Sequence, residues 1–154
     1  MNTVPFPDFP KLAFLDWDGT FCDSRESIYE LNRVMAENYA QRMPIQPLPS
    51  YEEWLQESHP GVEACMRSLG VTESRESINR YFHQLLDAQH ESGLQNPLYP
   101  GSAEVLEFLR SRRIPAIVIS RHPHHHLIRD ITAHGLFGHF TNIIGEPKDT
   151  ELVK

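Results

Sequence analysis

Apolar residues along the chain follow two patterns. In the first, short continuous apolar runs stop at polar turn residues, as buried strands do. Lys11-Leu12-Ala13-Phe14-Leu15 stops at Asp16, Ile114 to Ile119 at Ser120, and Phe140 to Ile144 at Gly145. Helical spacing separates these runs. After a Leu98-Tyr99-Pro100-Gly101 turn, Ser102 to Arg112 carries Val105, Leu106, Phe108 and Leu109 on one side and basic residues in its last turn. Pro123 to His134 carries Leu127, Ile128 and Ile131 and is followed by Gly135, where a helix-closing glycine belongs. Strands alternating with helices in this way predict an α/β fold, with a parallel sheet and helices on its faces.

The second pattern, from 23 to 96, offers amphipathic helices in a row and no strand. Asp23-Ser24-Arg25-Glu26 before Ile28, Leu31, Val34 and Met35, and Ser50-Tyr51-Glu52-Glu53 before Trp54 and Leu55, have the form of capping boxes. Pro60 opens a helix through Val62, Cys65, Met66 and Leu69 that Gly70 closes, and Thr72 caps a longer one with Ile78, Phe82 and Leu85. The chain therefore reads as a sheet-bearing domain, residues 1–22 and 97–154, interrupted by a helical insertion, residues 23–96.

Composition narrows the partners. With 154 residues, 40% hydrophobic and 23% charged, the chain is long enough and apolar enough to bury a core. Its net charge of −7 and lack of any dense Lys/Arg run exclude a surface built for nucleic acid or anionic lipid, leaving small molecules or proteins. No run approaches the about 18 apolar residues of a membrane span. Met1 to Pro10 lacks the basic start and apolar stretch of a signal peptide. Cys22 and Cys65 are far apart and in no ligand spacing, which suits a reducing cytoplasm. The pattern does not define an oligomeric state.

The chemistry concentrates in Asp16-Trp17-Asp18-Gly19-Thr20, where two carboxylates leave the C-terminal end of a predicted strand. Ligands of open parallel sheets bind at that edge. A carboxylate there can attack phosphorus and form an aspartyl phosphate, which makes Asp16 the candidate nucleophile. Asp18, beyond the regular pleat, can protonate the leaving oxygen and later deprotonate water. Gly19 permits the tight turn and Thr20 can tie the loop down, and both belong to the expected phosphate cradle. Two acids beside a phosphate dianion call for a hard cation, so Mg²⁺ is expected, held by Asp16 and the backbone carbonyl of Asp18. An EF-hand is excluded, because its glycine would fall at Phe21 and its glutamate at Ser27. A glycosidase pair is disfavoured by two acids only two residues apart.

Asp16-Trp17-Asp18-Gly19-Thr20-Phe21 resembles the D-x-D-G-T-[LV] first motif of haloacid dehalogenase-like phosphatases. Ile117-Val118-Ile119-Ser120 looks like the second motif. The resemblance implies a Rossmann-like core whose Ser120 hydrogen-bonds the phosphoryl group. It also implies a helical insertion acting as the cap over a small-molecule phosphate ester, as in the branch with phosphoglycolate phosphatases and β-phosphoglucomutases. Arg121 stands where that family often has Asn and is a candidate phosphate ligand. The family's third-motif lysine corresponds by spacing to Lys154, with Lys148 the less apt choice. The proline that follows that lysine and the fourth motif's acidic pair would lie further on. The expectation is thus either part of a longer enzyme or a short form that binds phosphate or a protein without turnover. A receiver domain shares the sheet-edge aspartate but not the long helical insertion.

Two polar clusters remain. Glu146, Asp149 and Glu151 follow the third run and read first as a surface loop, second as replacement metal ligands. His122-Pro123-His124-His125-His126 lacks the spacing of a closed metal site and reads as an exposed helix start beside the site's mouth.

Overall fold

A computed structural model describes residues 11–56 and 61–146 of the chain. In chain order its elements are β1 (Ala13–Leu15), α1 (Arg25–Ala40), α2 (Tyr51–Gln56), α3 (Val62–Ser68), α4 (Arg75–Glu91), α5 (Ser102–Ser111), β2 (Ala116–Pro123), α6 (His124–Ala133) and β3 (Asn142–Glu146). A 3-10 turn, Phe137–His139, precedes β3. They fall into two compact units: one draws on Met1–Cys22 and Pro97–Lys154, the other is Asp23–Asn96.

In the first unit the three strands form one parallel sheet in the order β1-β2-β3. Strand alternation puts Ala13 and Leu15 on one face, in register with Ala116 and Val118, and Val118 in turn with Ile143. That face is covered by Leu106 and Leu109 of α5 and Leu127 and Ile131 of α6. The other face carries Phe14, Ile119 and Ile144, which are 63%, 43% and 43% exposed. Helices thus cover one face of the sheet among the described residues, not both faces as the alternation predicts.

The α6 C-terminus closes as its sequence suggests. Gly135 adopts φ +72°, its N–H donates to the Thr132 carbonyl at 2.9 Å, and Leu136 N reaches back to the Ile131 carbonyl at 3.0 Å. The strand bounds move relative to the apolar runs. β1 starts only at Ala13, β3 runs through Gly145 to Glu146, and β2 does not stop at Ser120 but continues through His122 to Pro123.

The second unit has its own core. Met35, Ala36 and Tyr39 of α1 pack with Trp54 of α2, Cys65 and Met66 of α3 and Ile78 of α4. The capping box at Ser50 forms: its N–H and hydroxyl donate to Glu53 Oε2 at 2.9 and 2.8 Å, and Glu53 N donates to Ser50 Oγ at 3.4 Å. The box before α1 does not. Ser24 occupies the N-cap without a side-chain capping bond among the described residues, and Asp23 instead pairs with Arg25 at 2.7 Å. Nor does Thr72 cap α4, because buried Val71 keeps the chain on the end of α3, its N–H donating to the Met66 carbonyl at 3.0 Å. The cap passes to Ser74, whose hydroxyl accepts from Ser77 N at 3.1 Å. Pro60 lies outside the described residues, and Gly61 is the N-cap of α3.

Gly145 is required by space rather than by backbone angle. A β-carbon there would sit 2.6 Å from His124 Cα and 2.7 Å from the His122 carbonyl, where β3 passes the junction of β2 and α6. Gly145→Ala is expected to destabilise the chain by about 2–3 kcal/mol, since backbone cannot yield as a side chain does. Urea unfolding followed by circular dichroism checks this, and a midpoint equal to the parent's would refute it.

Candidate active site

The loop after β1 is built on an inward Trp17. Its side chain is 0% exposed, in a cluster with Phe21, Cys22, Leu106, Val118, Leu127, Ile131 and Leu136. The indole stacks on Phe21, with ring centres 6.4 Å apart and planes within 4°. The Trp17 carbonyl accepts from Phe21 N at 2.9 Å and Cys22 N at 3.0 Å, and Gly19 N donates to the Cys22 carbonyl at 2.9 Å. Gly19 sits at φ +74°, a conformation that favours glycine, so the turn is tight as expected. The loop's far end is pinned too: Tyr99 N and Ser102 Oγ donate to the Phe21 carbonyl at 2.9 and 3.0 Å.

Asp16 and Asp18 flank this tryptophan at the carboxyl end of the sheet. Asp16 Oδ1 accepts from Trp17 N at 3.0 Å, and Thr20 Oγ1 donates to Asp16 Oδ2 at 3.4 Å. Asp18 Oδ2 accepts from Ser120 Oγ at 3.1 Å and lies 3.2 Å from His122 Nδ1. An ionised carboxylate only accepts, so Nδ1 is the protonated nitrogen in this contact. The His122 backbone N–H donates to Ser120 Oγ at 2.9 Å. On the other side of the ring, Nε2 is 3.8 Å from Asp130 Oδ2 of α6.

A strand irregularity aims these groups. Between Ile119 and Pro123 β2 uses four residues where β3 advances two, from Ile144 to Glu146. Ser120, Arg121 and His122 occupy this bulge, a feature that redirects side chains next to functional sites. Ser120 and His122 are partly buried, while Arg121 between them is exposed.

Of the residues singled out in the sequence, Asp16, Asp18, Gly19, Thr20 and Ser120 converge on this edge. Arg121 is exposed on the same bulge, and Glu146 is exposed at the end of β3. Lys148, Asp149, Glu151 and Lys154 lie outside the described residues. The histidine cluster splits. His124 and His125 are exposed, as a helix start predicts, but His126 is buried and His122 turns onto Asp18. Asp130 has no role in the sequence reading, and His122 is read there only as part of an exposed helix start. Their signal was positional: His122 is two residues beyond Ser120, on a strand that continues, and Asp130 is on the next helix.

Burial pulls the His122 imidazole down, but the hydrogen bond to Asp18 and the charges of Asp18 and Asp130 outweigh it, so its pKa lies above the ordinary 6.5.

A family model for haloacid dehalogenase-like hydrolases matches residues 10–154. The chain belongs to that family. Among solved structures, it resembles Protein Tyrosine Kinase A from Mycobacterium tuberculosis at 23% identity and a TM-score of 0.76, covering 93% of this chain and 63% of that one. A predicted phosphatase from Clostridium acetobutylicum follows at 17% identity and TM-score 0.73, with 92% and 63% covered. A predicted phosphoglycolate phosphatase from Haemophilus somnus gives 19% and 0.66, with 88% and 62% covered. These likenesses establish a shared fold. The chain spans less than two thirds of the length of each of these structures. No curated protein matches it.

Two predictions follow from the geometry. Trp17→Ala removes the buried anchor and is expected to cost about 3–5 kcal/mol of stability by chemical denaturation, whereas a loss below about 1 kcal/mol would show the loop to be held by other means. For His122, the raised pKa means that the protonated ring's contribution to stability is complete below the unfolded value and is lost as pH rises through the folded one. Histidine NMR titration should place the His122 midpoint above 6.5, and Asp18→Asn should lower it by leaving burial opposed by Asp130 alone among the causes named. A midpoint indifferent to Asp18→Asn would contradict this account.

Proposed function

We propose that this chain is the nucleophile-bearing part of a Mg²⁺-dependent phosphatase that acts on a small-molecule phosphate monoester. The observation that carries the reading is the 3.1 Å hydrogen bond from Ser120 to Asp18, which joins the ends of two neighbouring parallel strands beside Asp16. Membership of a hydrolase family supports the reaction class.

In the proposed reaction a carboxylate oxygen of Asp16 attacks phosphorus as the ester P–O bond breaks, and Asp18, having taken up a proton in the substrate complex, gives that proton to the departing oxygen. Water then attacks the aspartyl phosphate, Asp18 takes the water's proton, and the bond between phosphorus and Asp16 breaks to release inorganic phosphate. Ser120 and Thr20 supply hydroxyls, and the turn at Gly19 supplies backbone, for the phosphoryl oxygens. Exposed Arg121 is a candidate cation for phosphate, and Lys154 is the candidate for neutralising the nucleophile. The donor set at the β1 edge is all oxygen, which fits Mg²⁺, with the Asp16 carboxylate and the Asp18 carbonyl as its holders. Bound there, the ion would offset the charge that Asp16 and the phosphoryl group bring together. Unit 23–96 serves in this reading as the cap that covers the substrate and excludes water.

Among the described residues no helix is long and apolar enough to cross a membrane. Cys22 and Cys65 are both buried and form no disulfide among the described residues, which suits a cytoplasmic setting. A second reading is a silent domain that binds phosphate or a protein.

Release of inorganic phosphate from p-nitrophenyl phosphate, with Mg²⁺ and then with EDTA, tests the proposal. Asp16→Asn is expected to reduce turnover by about 10³-fold or more, and EDTA to abolish it. Turnover that survives Asp16→Asn would sink the mechanism. No turnover in the parent, with phosphate binding retained, would favour the silent domain.

A further inference from the structure

The acid–base carboxylate is tied to more than Ser120. Ser120 Oγ has a single proton, and in the structure it points at Asp18 Oδ2. The reading proposed above requires the same hydroxyl to donate to a phosphoryl oxygen, so when substrate arrives that bond to Asp18 must open. His122 touches both partners in this exchange: its backbone N–H is on Ser120 Oγ at 2.9 Å and its ring Nδ1 is 3.2 Å from Asp18 Oδ2. The first contact occupies a lone pair of Ser120 and leaves the hydroxyl proton directed away from the β2 backbone. The second does not depend on where that proton goes.

The ring is itself fixed. Its side chain is only 11% exposed, Asp130 Oδ2 lies 3.8 Å from Nε2, and His126 meets it edge-on at 6.0 Å between ring centres. Asp130 and His126 both come from α6, whose Leu127 and Ile131 are anchored in the core. The bulge in β2 puts His122 within reach of the loop after β1, 104 positions earlier in the chain.

We infer that His122 is a positioning residue that keeps the Asp18 carboxylate in place for proton transfer while Ser120 exchanges Asp18 for the phosphoryl group. The inference rests on the phosphatase reading and adds to it a residue outside the family's motifs. Asp18 is needed most when the leaving oxygen is a poor leaving group, because p-nitrophenolate departs with little help from an acid whereas an alkoxide must be protonated.

The test compares kcat/KM for p-nitrophenyl phosphate and for an alkyl phosphate such as glycerol phosphate, in the parent and in three variants. His122→Ala is expected to lower kcat/KM for the alkyl ester by about 100-fold and for the aryl ester by less than about 10-fold. His122→Asn, whose amide nitrogen falls near the place of Nδ1, is expected to restore most of the alkyl activity, and His122→Gln, which reaches towards the place of Nε2, is not. An equal fall for both esters, without rescue by Asn, would mean a merely structural ring and would overturn the inference. A second arm needs no turnover. In ¹⁵N-labelled full chain at alkaline pH, the His122 ring should carry its proton on Nδ1, with a shift that changes in Asp18→Asn. A ring protonated on Nε2 alone would overturn the inference. If the parent shows no Asp16-dependent turnover, the phosphatase reading fails, and this NMR arm still decides whether His122 holds Asp18.

Discussion

The Trp17 indole is wholly buried, and that burial sets the direction of both carboxylates beside it. A chain leaving a strand alternates its side chains, so an inward residue 17 sends residues 16 and 18 outward over the carboxyl end of the sheet. The main chain then has to turn back at once, and it does so on the Trp17 carbonyl, which takes the N–H groups of Phe21 and Cys22. The anchor is not free of cost. Trp17 Nε1 has no hydrogen-bond partner among the described residues, and such a group gives up about 1–3 kcal/mol. Burial of the large ring, stacked on Phe21, outweighs that loss.

How much of this was legible in the sequence depended on how regular each stretch is. The β1 run, the Asp16/Asp18 pair and the helix-closing Gly135 were readable because an unbroken apolar run, a paired-acid turn and a glycine C-cap each have one dominant local explanation. The end of β2 was not. Its last residues, Ser120 to His122, are polar, and the bulge there breaks the period of two on which strand reading relies. His122 was therefore grouped with the exposed histidines of a helix start, although it faces Asp18. The caps at Ser24 and Thr72 failed for a different reason. Local sequence allowed them, but the pairing of Asp23 with Arg25 in one case and the burial of Val71 in the other had the stronger claim on the chain. No local pattern encodes those competitions.

The sheet unit also shows how a long insertion can interrupt a loop this sensitive. The chain leaves the unit at Cys22 and is back in it at Leu98, and the two residues bridge antiparallel. With Tyr99 and Ser102 bonded to the Phe21 carbonyl, both ends of the insertion are fixed one turn away from Asp18. The entropy of closing a loop grows only slowly with its length, so once the ends are pinned, the length between them adds little further cost. The second unit has its own apolar core.

The same edge carries a concentration of acid that needs an internal counterweight. Asp18 and Asp130 sit on opposite sides of one imidazole, and a protonated ring between two carboxylates lowers the energy of both. Burial alone would lower the pKa of that ring, and the two acids together raise it. Neither acid can thus be altered without changing the ring that the other uses. Since one of these acids stands at the turn after β1 and the other on α6, the charge balance couples the loop that bears the proposed nucleophile to the helix packed beneath the sheet.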